Sequence, residues 1–373
     1  MRVLLTGGGT AGHINPALAI AETVKQNDPS AVIEFVGIRN GKEADLIPRE
    51  GYTLHFVESM GIRRSLSPAN IKALWLAWRS PKSRETQKIL NDFQPDIVIG
   101  TGGYASWPIM KAAVDRGIPT AVHESNAFPG LTVRRLQKQV DRIWINFPQT
   151  AASLKQKERV MQVGNPLRSG FGCISKERAR RELGISENRK MILSFGGSLG
   201  AEDMNRAVIE TMRDYSAKHP HLLHIHAAGK RDYEASMRLF REMGLQNAPN
   251  CMLVDYIYDM PIRMAAADVV ISRAGAMTLS ELALMQKAAI LVPSPHVADN
   301  HQFVNAKTLA DANGAELVEE ATFADGRLQK TLARLVEDEA HRTKMEQSIS
   351  AFADRDAAHR IWDDIKKLIQ NNK

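Results

Sequence analysis

Short apolar runs alternate with longer stretches of helical periodicity along the chain. The first runs cover residues 3–5 and 31–37. Later runs cover residues 53–57, 96–100, 119–123, 142–145, 160–163, 191–195, 222–227, 252–254, 268–271 and 289–292. Strands that alternate with helices predict an α/β fold with parallel sheets covered on both faces. Such sheets bind ligands at the carboxyl ends of their strands, so the loops after these runs are candidates for a site.

The loop after the first run, residues 7–13, reads GGGTAGH. It lies before an apolar helical stretch and therefore predicts a tight turn into a helix. Glycine lets the backbone approach a ligand closely, and the N–H groups and dipole at a helix start favour an anion. We predict a phosphate or diphosphate here, with His13 adding a titratable imidazole beside it.

Gly7, Gly9 and Gly12 also satisfy the dinucleotide-binding pattern GxGxxG. That pattern requires an acidic residue at the tip of the second strand to bind a ribose. The run at 31–37 instead carries Glu34 in its interior. The sequence therefore favours a phosphate loop over a dinucleotide site, and a purely structural turn remains the alternative.

Two further strand ends face the same predicted crevice. Residues 101–108 (TGGYASWP) form a second glycine turn, which can share one diphosphate with the first. Residues 123–126 (HESN) follow the next strand and offer candidates for acid–base chemistry and for binding sugar hydroxyls. We interpret His123 as structural and leave the role of Glu124 open.

Residues 164–166 (GNP) break the pattern and mark the predicted boundary between a domain at 1–164 and a second at 165–354. The second domain begins like the first, with a strand, a glycine loop at 196–201 and a helix. Two such openings predict a nucleotide-handling protein with its site between the domains. The apolar stripe in residues 355–373 predicts a terminal helix that packs back on the first domain.

The loop and helix start at residues 273–282 (RAGAMTLSEL) can bind the phosphate of a nucleotide. Glu281 can accept hydrogen bonds from two ribose hydroxyls, and the alternative is a first-turn acid that only complements the helix dipole. The polar loop at 293–302 contains histidines, but their spacing matches no metal motif. We therefore predict no metal and no cofactor.

The chain has 373 residues, more than one core usually spans, and a net charge of +7. Its basic residues are dispersed and accompany no nucleic-acid module, so we expect phosphorylated ligands and an anionic membrane surface rather than nucleic acid. No apolar stretch reaches the length of a spanning helix and no signal-peptide pattern is present, so we expect a cytoplasmic protein. Cys173 and Cys251 show no paired spacing, and we expect both to be packed thiols.

Ile71, Leu74, Trp75 and Trp78 recur at helical spacing and form one apolar stripe. The basic residues around it are Arg63, Arg64, Lys72, Arg79, Lys82 and Arg84. Tryptophans beside a basic rim suit a membrane interface, whereas an ordinary amphipathic helix covers the sheet. Both interpretations remain open.

The three glycine loops, the HESN segment, the NPLR segment at 165–168 and the run at 276–281 follow an order that resembles one family over nearly the full chain. The chain resembles the MurG family of lipid-linked N-acetylglucosaminyltransferases of peptidoglycan synthesis. This resemblance implies the GT-B fold, two Rossmann-like parallel-sheet domains facing a deep cleft. It implies transfer of GlcNAc from UDP-GlcNAc to the MurNAc C4 hydroxyl of lipid I, with inversion, to form lipid II. It also implies a peripheral protein at the cytoplasmic face of the bacterial membrane.

The resemblance further implies roles for individual residues, with UDP-GlcNAc held by the second domain. The implied donor contacts are Thr10, Ala11, Gly12, Asn126, Arg168, Ser198, Ile257, Ala276, Met277, Thr278, Leu279, Ser280, Glu281 and Gln302. The implied loops for the lipid diphosphate contain Gly9, Thr10, Gly102, Gly103 and Tyr104. Ile257 would act through its backbone on the uracil, and Glu281 would bind the ribose. Ala11 and Ser125 depart from the family, where many members have Gly and Gln.

Transfer with inversion needs a base for the acceptor hydroxyl while UDP leaves from the opposite face. We predict His13 as this base, with Glu124 either as the alternative base or as the group that orients acceptor or imidazole. Helix N-termini, Ser198, Thr278 and Arg168 would neutralise the leaving diphosphate. The alternatives are another GT-B enzyme of UDP-GlcNAc (a glycolipid transferase or 2-epimerase), a non-catalytic nucleotide-sugar binding module, and a peripheral membrane protein whose loops are only structural.

Overall fold

The computed structural model describes residues 1–61, 68–197, 200–297 and 300–372. The chain divides into two compact units, Met1–Ser169 with Arg355–Lys373, and Gly170–Asp354. Among the described residues, no helix is both long and apolar enough to cross a membrane.

The first unit is built on a parallel sheet of seven strands in the order β3-β2-β1-β4-β5-β6-β7. Its elements are β1 Arg2–Thr6, α1 Ala11–Asn27, β2 Val32–Gly37, α2 Glu43–Arg49, β3 Thr53–Phe56, α3 Pro68–Arg79, α4 Arg84–Phe93, β4 Ile97–Gly100, α5 Trp107–Asp115, β5 Thr120–Glu124, α6 Leu131–Leu136, β6 Arg142–Ile145 and β7 Val160–Gln162. The central strands are apolar on both faces because helices cover both: Val3 and Leu5 pack on one side, and Leu4 on the other.

The C-terminal helix of the chain, α15 (Ala357–Gln370), belongs to this first unit. Ile361 and Ile365 are buried in the same core as Val3. Asp364 is also buried, and it accepts hydrogen bonds from Trp144 Nε1 and Arg142 Nε, both at 2.8 Å. The apolar stripe that predicts this helix is therefore the face that joins the core.

The second unit has a parallel sheet of six strands in the order β10-β9-β8-β11-β12-β13. Its elements are α7 Lys176–Glu182, β8 Lys190–Phe195, α8 Glu202–Asp214, β9 Leu222–Ala227, α9 Tyr233–Glu242, β10 Cys251–Val254, α10 Met260–Ala266, β11 Val269–Ser272, α11 Ala276–Leu284, β12 Ala288–Leu291, α12 His301–Asp311, β13 Glu316–Leu317, α13 Arg327–Glu337 and α14 Glu339–Ser350. Each strand predicted from the sequence is present, with its ends within one residue. The sequence analysis missed β13, which is too short to show a pattern.

A hydrogen-bonded chain of buried polar side chains crosses the sheet of the second unit. Ser216 Oγ and Ser194 Oγ lie 2.9 Å from the two ring nitrogens of His224, and Ser194 Oγ lies 2.9 Å from His226 Nδ1. His226 Nε2 is 3.1 Å from Asn205 Oδ1. Burial lowers the pKa of His224 to about 3 and that of His226 to about 4, so both rings are neutral at physiological pH.

Two expectations from the sequence need correction. The prediction that Cys173 is a packed thiol is wrong, because its side chain is exposed; Cys251 is buried as expected. The interpretation that the stripe on α3 covers the sheet is also wrong. The side chains of Ile71, Leu74, Trp75 and Trp78 are exposed. Among the α3 residues whose burial is described, 70–79, the buried ones are Ala73 and Leu76.

Candidate functional site

The two glycine loops of the first unit follow β1 and β4, which are neighbours in the sheet. The order of strands reverses between them, and open α/β sheets bind ligands at such a point. Gly8 N–H donates to Gly102 O at 3.4 Å, and Thr101 Oγ1 donates to His13 O at 2.6 Å. The loops therefore contact each other directly, and His13 lies at their junction.

Close packing of the two loops explains the glycines of the second loop. A Cβ at Gly103 would lie 2.2 Å from Gly8 O, and φ at Gly103 is +79°. A Cβ at Gly102 would lie 2.8 Å from His13 Cδ2. Larger residues would push the loops apart and displace the imidazole. These glycines hold the imidazole in place whether or not they also contact a phosphate.

His13 lies in the first turn of α1 and is half-buried. Its Nδ1 is 3.2 Å from Gly8 O and 3.2 Å from Thr10 Oγ1. A carbonyl oxygen only accepts, so the bond to Gly8 requires the proton on Nδ1. In that tautomer Nε2 is the basic nitrogen, as a general base requires.

Glu124 ends β5 and is buried. Its Oε1 accepts from Asn126 N at 3.0 Å and from Asn126 Nδ2 at 3.1 Å, and its Oε2 accepts from Gly130 N at 2.7 Å. Burial raises the pKa of this carboxyl, and the three hydrogen bonds partly oppose the rise. Both oxygens thus organise the loop that carries Asn126, a predicted donor contact.

His123 precedes Glu124 on β5, and its ring is fully buried. Its Nε2 donates to Gly164 O at 2.9 Å. Burial lowers the pKa of His123 to about 4, so the ring stays neutral. These contacts agree with a structural role for His123.

Gly9, a predicted contact of the acceptor diphosphate, already has a partner within the protein. Its N–H donates to Oε2 of Glu43 at 3.0 Å. Tyr104, in the neighbouring loop, lies against the same glycine, with Cε1 3.1 Å from the ideal Cβ position of Gly9. The sequence analysis missed Glu43. Its spacing of four residues from the buried Ile47 was the available signal, because it puts both on one face of α2.

Arg168 is held by two carboxylates of the first unit. Its Nε donates to Glu22 Oε1 at 2.8 Å, and its two terminal nitrogens donate to the two oxygens of Glu50 at 2.8 and 2.6 Å. Ser169 N–H also donates to Glu22, at 2.7 Å. In this structure each nitrogen of the guanidinium predicted to contact the donor therefore donates to an acidic group.

The second unit repeats the arrangement of the first. Its central strands β8 and β11 are neighbours, and each ends in a glycine-containing loop, Gly196-Gly197 and Arg273-Ala274-Gly275. Ser198, a predicted contact of the leaving diphosphate, lies outside the described residues. Gly275 caps α11, and Thr278 lies half-buried in the first turn of that helix. The side chain of Ile257 is buried, so only its backbone would be able to contact the uracil of the donor.

Glu281 has the most strongly shifted pKa among the carboxyls of this region. Its side chain is only 9% exposed, and burial raises its pKa to about 8. It follows the first turn of α11, so the alternative of a first-turn acid that complements the dipole is wrong. No hydrogen bond reaches the Glu281 carboxyl from the part of the chain that the structure describes. A buried carboxyl without a partner is suited to accept hydrogen bonds from the hydroxyl groups of a ligand.

The other predicted donor contacts of the second unit lie on α11 and at the start of α12. Ala276, Met277 and Leu279 are buried, and Ser280 Oγ donates to Ala276 O at 3.2 Å. Gln302 Oε1 accepts from Ser294 N at 2.9 Å, which holds the loop after β12 against α12.

Asp203, His296 and Glu320 bring one ligand atom each within 4.8 Å of one another. Glu320 already forms an ion pair with Arg273, whose positive charge opposes a second cation. Asp203 and His296 are exposed. The arrangement therefore consists of one carboxylate already paired with Arg273 and two exposed side chains.

Comparisons with known proteins agree with this architecture. The glycosyltransferase family 28 N-terminal domain matches residues 3–145, and the glycosyltransferase family 28 C-terminal domain matches residues 191–361. The chain is 38% identical over 371 residues to a protein of Acetivibrio thermocellus, covering 100% of this chain and 99% of that one. That protein is named UDP-N-acetylglucosamine–N-acetylmuramyl-(pentapeptide) pyrophosphoryl-undecaprenol N-acetylglucosamine transferase.

Solved structures show the same fold. The crystal structure of Acinetobacter baumannii MurG matches with a TM-score of 0.71 and 26% identity, covering 98% of this chain and 99% of that one. The UDP-GlcNAc 2-epimerase of Neisseria meningitidis, bound to UDP-GlcNAc, matches with a TM-score of 0.66 over 98% of this chain and 100% of that one. Its identity is 15%, so this second likeness concerns the fold alone. With its two parallel-sheet units, its family 28 domains and its full-length relatives, the chain belongs to the MurG family of GT-B glycosyltransferases.

Proposed function

We propose that this protein transfers GlcNAc from UDP-GlcNAc to the MurNAc C4 hydroxyl of undecaprenyl-diphospho-MurNAc-pentapeptide (lipid I), with inversion, to form lipid II. The observation that carries the proposal is the 38% identity, over the full length of both chains, to a transferase named for this donor and this acceptor. The product is the disaccharide unit of peptidoglycan. A shared fold alone would support a 2-epimerase equally well.

In the proposed reaction, His13 Nε2 takes the proton of the acceptor hydroxyl. The hydroxyl oxygen forms a bond to C1 of GlcNAc as the bond from C1 to the UDP oxygen breaks on the opposite face. The bond from His13 Nδ1 to Gly8 O holds the ring and supports the imidazolium that results. Glu124 orients the loop of Asn126, because its oxygens are already engaged with that loop.

We assign the donor to the second unit. The buried carboxyl of Glu281 would accept both ribose hydroxyls, and the backbone of Ile257 would face the uracil. The start of α11, with Thr278, would meet the charge that develops on the departing diphosphate. Arg168 could join them only by leaving Glu22 and Glu50, with which it is paired in this structure.

The decisive assay mixes the protein with UDP-GlcNAc and a short-tailed lipid I analogue, and follows both UDP release and the disaccharide product. We expect release and product in equal amounts, and neither without the acceptor. Conversion of UDP-GlcNAc without acceptor would support an epimerase. Donor binding without turnover would support a binding module.

We also propose that α3 attaches the protein to the anionic cytoplasmic face of the membrane as a peripheral protein. Ile71 and Trp78 are 72% and 70% exposed. The Arg79 guanidinium lies 4.9 Å from the centroid of the Trp75 ring, and Lys82 Nζ lies 5.5 Å from that of Trp78. Aromatic rings with cations at their faces suit the level of anionic headgroups. Arg63 and Arg64, predicted to belong to the basic rim, lie outside the described residues.

Replacing Trp75 and Trp78 by alanine is expected to weaken binding to phosphatidylglycerol vesicles by roughly 10-fold or more per tryptophan, the transfer energy of a large apolar side chain. Cosedimentation measures the binding. Phe352→Ala, a change at an exposed aromatic residue of the second unit, is the matched control and should bind like the unaltered protein. Equal binding by the double variant would contradict the membrane role of α3.

A further inference from the structure

Glu43 is a carboxylate buried at the start of α2, with 1% of its surface exposed. Its Oε1 accepts from Ile38 N at 3.1 Å, and its Oε2 accepts from Gly9 N at 3.0 Å. Both oxygens thus accept hydrogen bonds from backbone N–H groups. Glu43 is not among the residues to which the family resemblance gives a role, and the proposed reaction does not use it.

The backbone leaves space for this carboxylate where a side chain would otherwise lie. A Cβ at Gly41 would be 2.3 Å from Glu43 Oε1, and a Cβ at Gly8 would be 2.4 Å from the same atom. A Cβ at Gly37 would be 2.4 Å from Glu43 Cγ. Glycines from the loop after β1, the end of β2 and the loop after β2 therefore surround Glu43, and its position is closely defined.

The peptide that joins Gly8 to Gly9 connects Glu43 with His13. Glu43 binds the N–H end of this peptide, and His13 Nδ1 binds its carbonyl end at 3.2 Å. A negative charge at the N–H end polarises the amide and makes the carbonyl oxygen a stronger acceptor. A stronger acceptor favours the proton on Nδ1 and stabilises the imidazolium over the neutral ring.

We infer that Glu43 is a positioning residue that acts on His13 through the peptide between Gly8 and Gly9. It holds the imidazole in the tautomer with Nδ1 protonated and stabilises the cation formed when Nε2 takes the proton of the acceptor hydroxyl. No proton passes along the peptide, and the Nδ1 proton stays on the ring. The inference rests on the proposed function in so far as His13 is the base.

A carboxylate that orients a catalytic imidazole by direct contact is a familiar arrangement in hydrolases. In this protein the orienting charge acts through one peptide group, which leaves the space beside the ring to the two glycine loops. Tyr104 also faces this peptide, but burial raises its pKa, with a smaller contribution from the charge of Glu43. Tyr104 therefore remains neutral in the range where histidine titrates.

The test is Glu43→Gln, which has nearly the same shape but no charge and only one acceptor oxygen. We expect kcat to fall roughly 10-fold, with KM for both substrates little changed, since a weakened base retains part of the roughly 100-fold or greater effect of a general base. The acidic limb of the rate profile should move to lower pH. In the free protein, the NMR titration of the His13 ring should also move to lower pH.

Two further variants separate this effect from a loss of structure. Gly41→Ala leaves Glu43 unchanged but places a methyl group against its carboxylate, so it should move the His13 titration in the same direction. Glu34→Gln is the matched control, because it removes a carboxylate from the same unit, one that pairs with His55 at 2.5 Å. The control should leave both kcat and the His13 titration unchanged.

The NMR titration also distinguishes this inference from the proposed function. An unchanged His13 titration in a folded Glu43→Gln protein would overturn the inference, whatever happened to turnover. A shifted titration combined with full activity of His13→Ala would instead preserve the link between Glu43 and His13 and remove His13 as the base.

Discussion

Replacing His13 by alanine is expected to lower kcat by roughly 100- to 10,000-fold, the usual contribution of a general base. The donor should still bind with nearly its original affinity, because the proposed contacts to the ribose, the uracil and the leaving diphosphate lie in the second unit. The expected fall in kcat has a geometric cause as well as a chemical one. The bond from Nδ1 to Gly8 O fixes which ring nitrogen is basic, and no methyl group can replace it. Steady-state rates with a lipid I analogue, together with calorimetric titration of UDP-GlcNAc, measure the two quantities.

His359→Ala provides the control for loss of an imidazole, because the His359 side chain is 71% exposed on α15. It should leave turnover unchanged. Glu124→Gln supplies the competing test. If Glu124 were the base, the kcat of this variant would fall as far as we predict for His13→Ala. The His13→Ala protein would then remain active. Near-normal turnover in His13→Ala would therefore exclude the assignment of the base to His13.

Replacing Glu281 by glutamine is expected to raise KM for UDP-GlcNAc by roughly 100-fold, because two charge-assisted hydrogen bonds to ribose hydroxyls become weaker or are lost. The effect on kcat at saturating donor should be small, since the ribose is remote from the reacting carbon. Initial rates over a range of donor concentrations measure both. Glu346→Gln, a change at a half-buried carboxyl of the same unit, is the matched control and should leave KM unchanged.

The pH dependence of donor binding gives a second measure of Glu281. Burial raises the pKa of its carboxyl to about 8, so below that pH the group is mostly protonated in the free protein. Two hydrogen bonds donated by the ribose hydroxyls favour the ionised form of the Glu281 carboxyl. Binding of the donor therefore releases a proton. KM for the donor should fall as the pH rises towards 8, by at most about 10-fold per pH unit, and then level off. Glu281→Gln should abolish this dependence, and a KM independent of pH in the unaltered protein would contradict the role.

The strands and the loops that follow them were the most predictable part of this protein. Central strands such as β1 are apolar on both faces, so their sequence is a continuous run that needs no tertiary information to recognise. The neighbouring positions of the glycine loops followed from the rule for parallel sheets. The segment β13 was missed because two residues carry no periodicity. The roles of the individual site residues, and of the two units as acceptor and donor units, stay predictions.

Helix α3 shows why an amphipathic pattern alone is not sufficient. Its stripe of Trp75 and Trp78 has the spacing of a core-facing helix, and the same spacing suits a membrane surface. The choice depends on what lies opposite the helix. In the structure Ala73 and Leu76 are buried, and the tryptophans remain exposed. Sequence periodicity defines the faces of a helix but not which of them meets the protein.

By itself the sequence determined the α/β class, the strands, the glycine loops at their carboxyl ends, and the candidates His13 and Glu281, because these depend on local periodicity and on residue chemistry. Only the tertiary structure decided which partners these groups have. Glu43 meets Gly9 and Arg168 meets Glu50 across 34 and 118 residues of chain, respectively. Such contacts arise when strands and helices pack, and local sequence patterns do not specify them. The pairing of Arg168 and the link from Glu43 to His13 therefore became visible only in the folded protein.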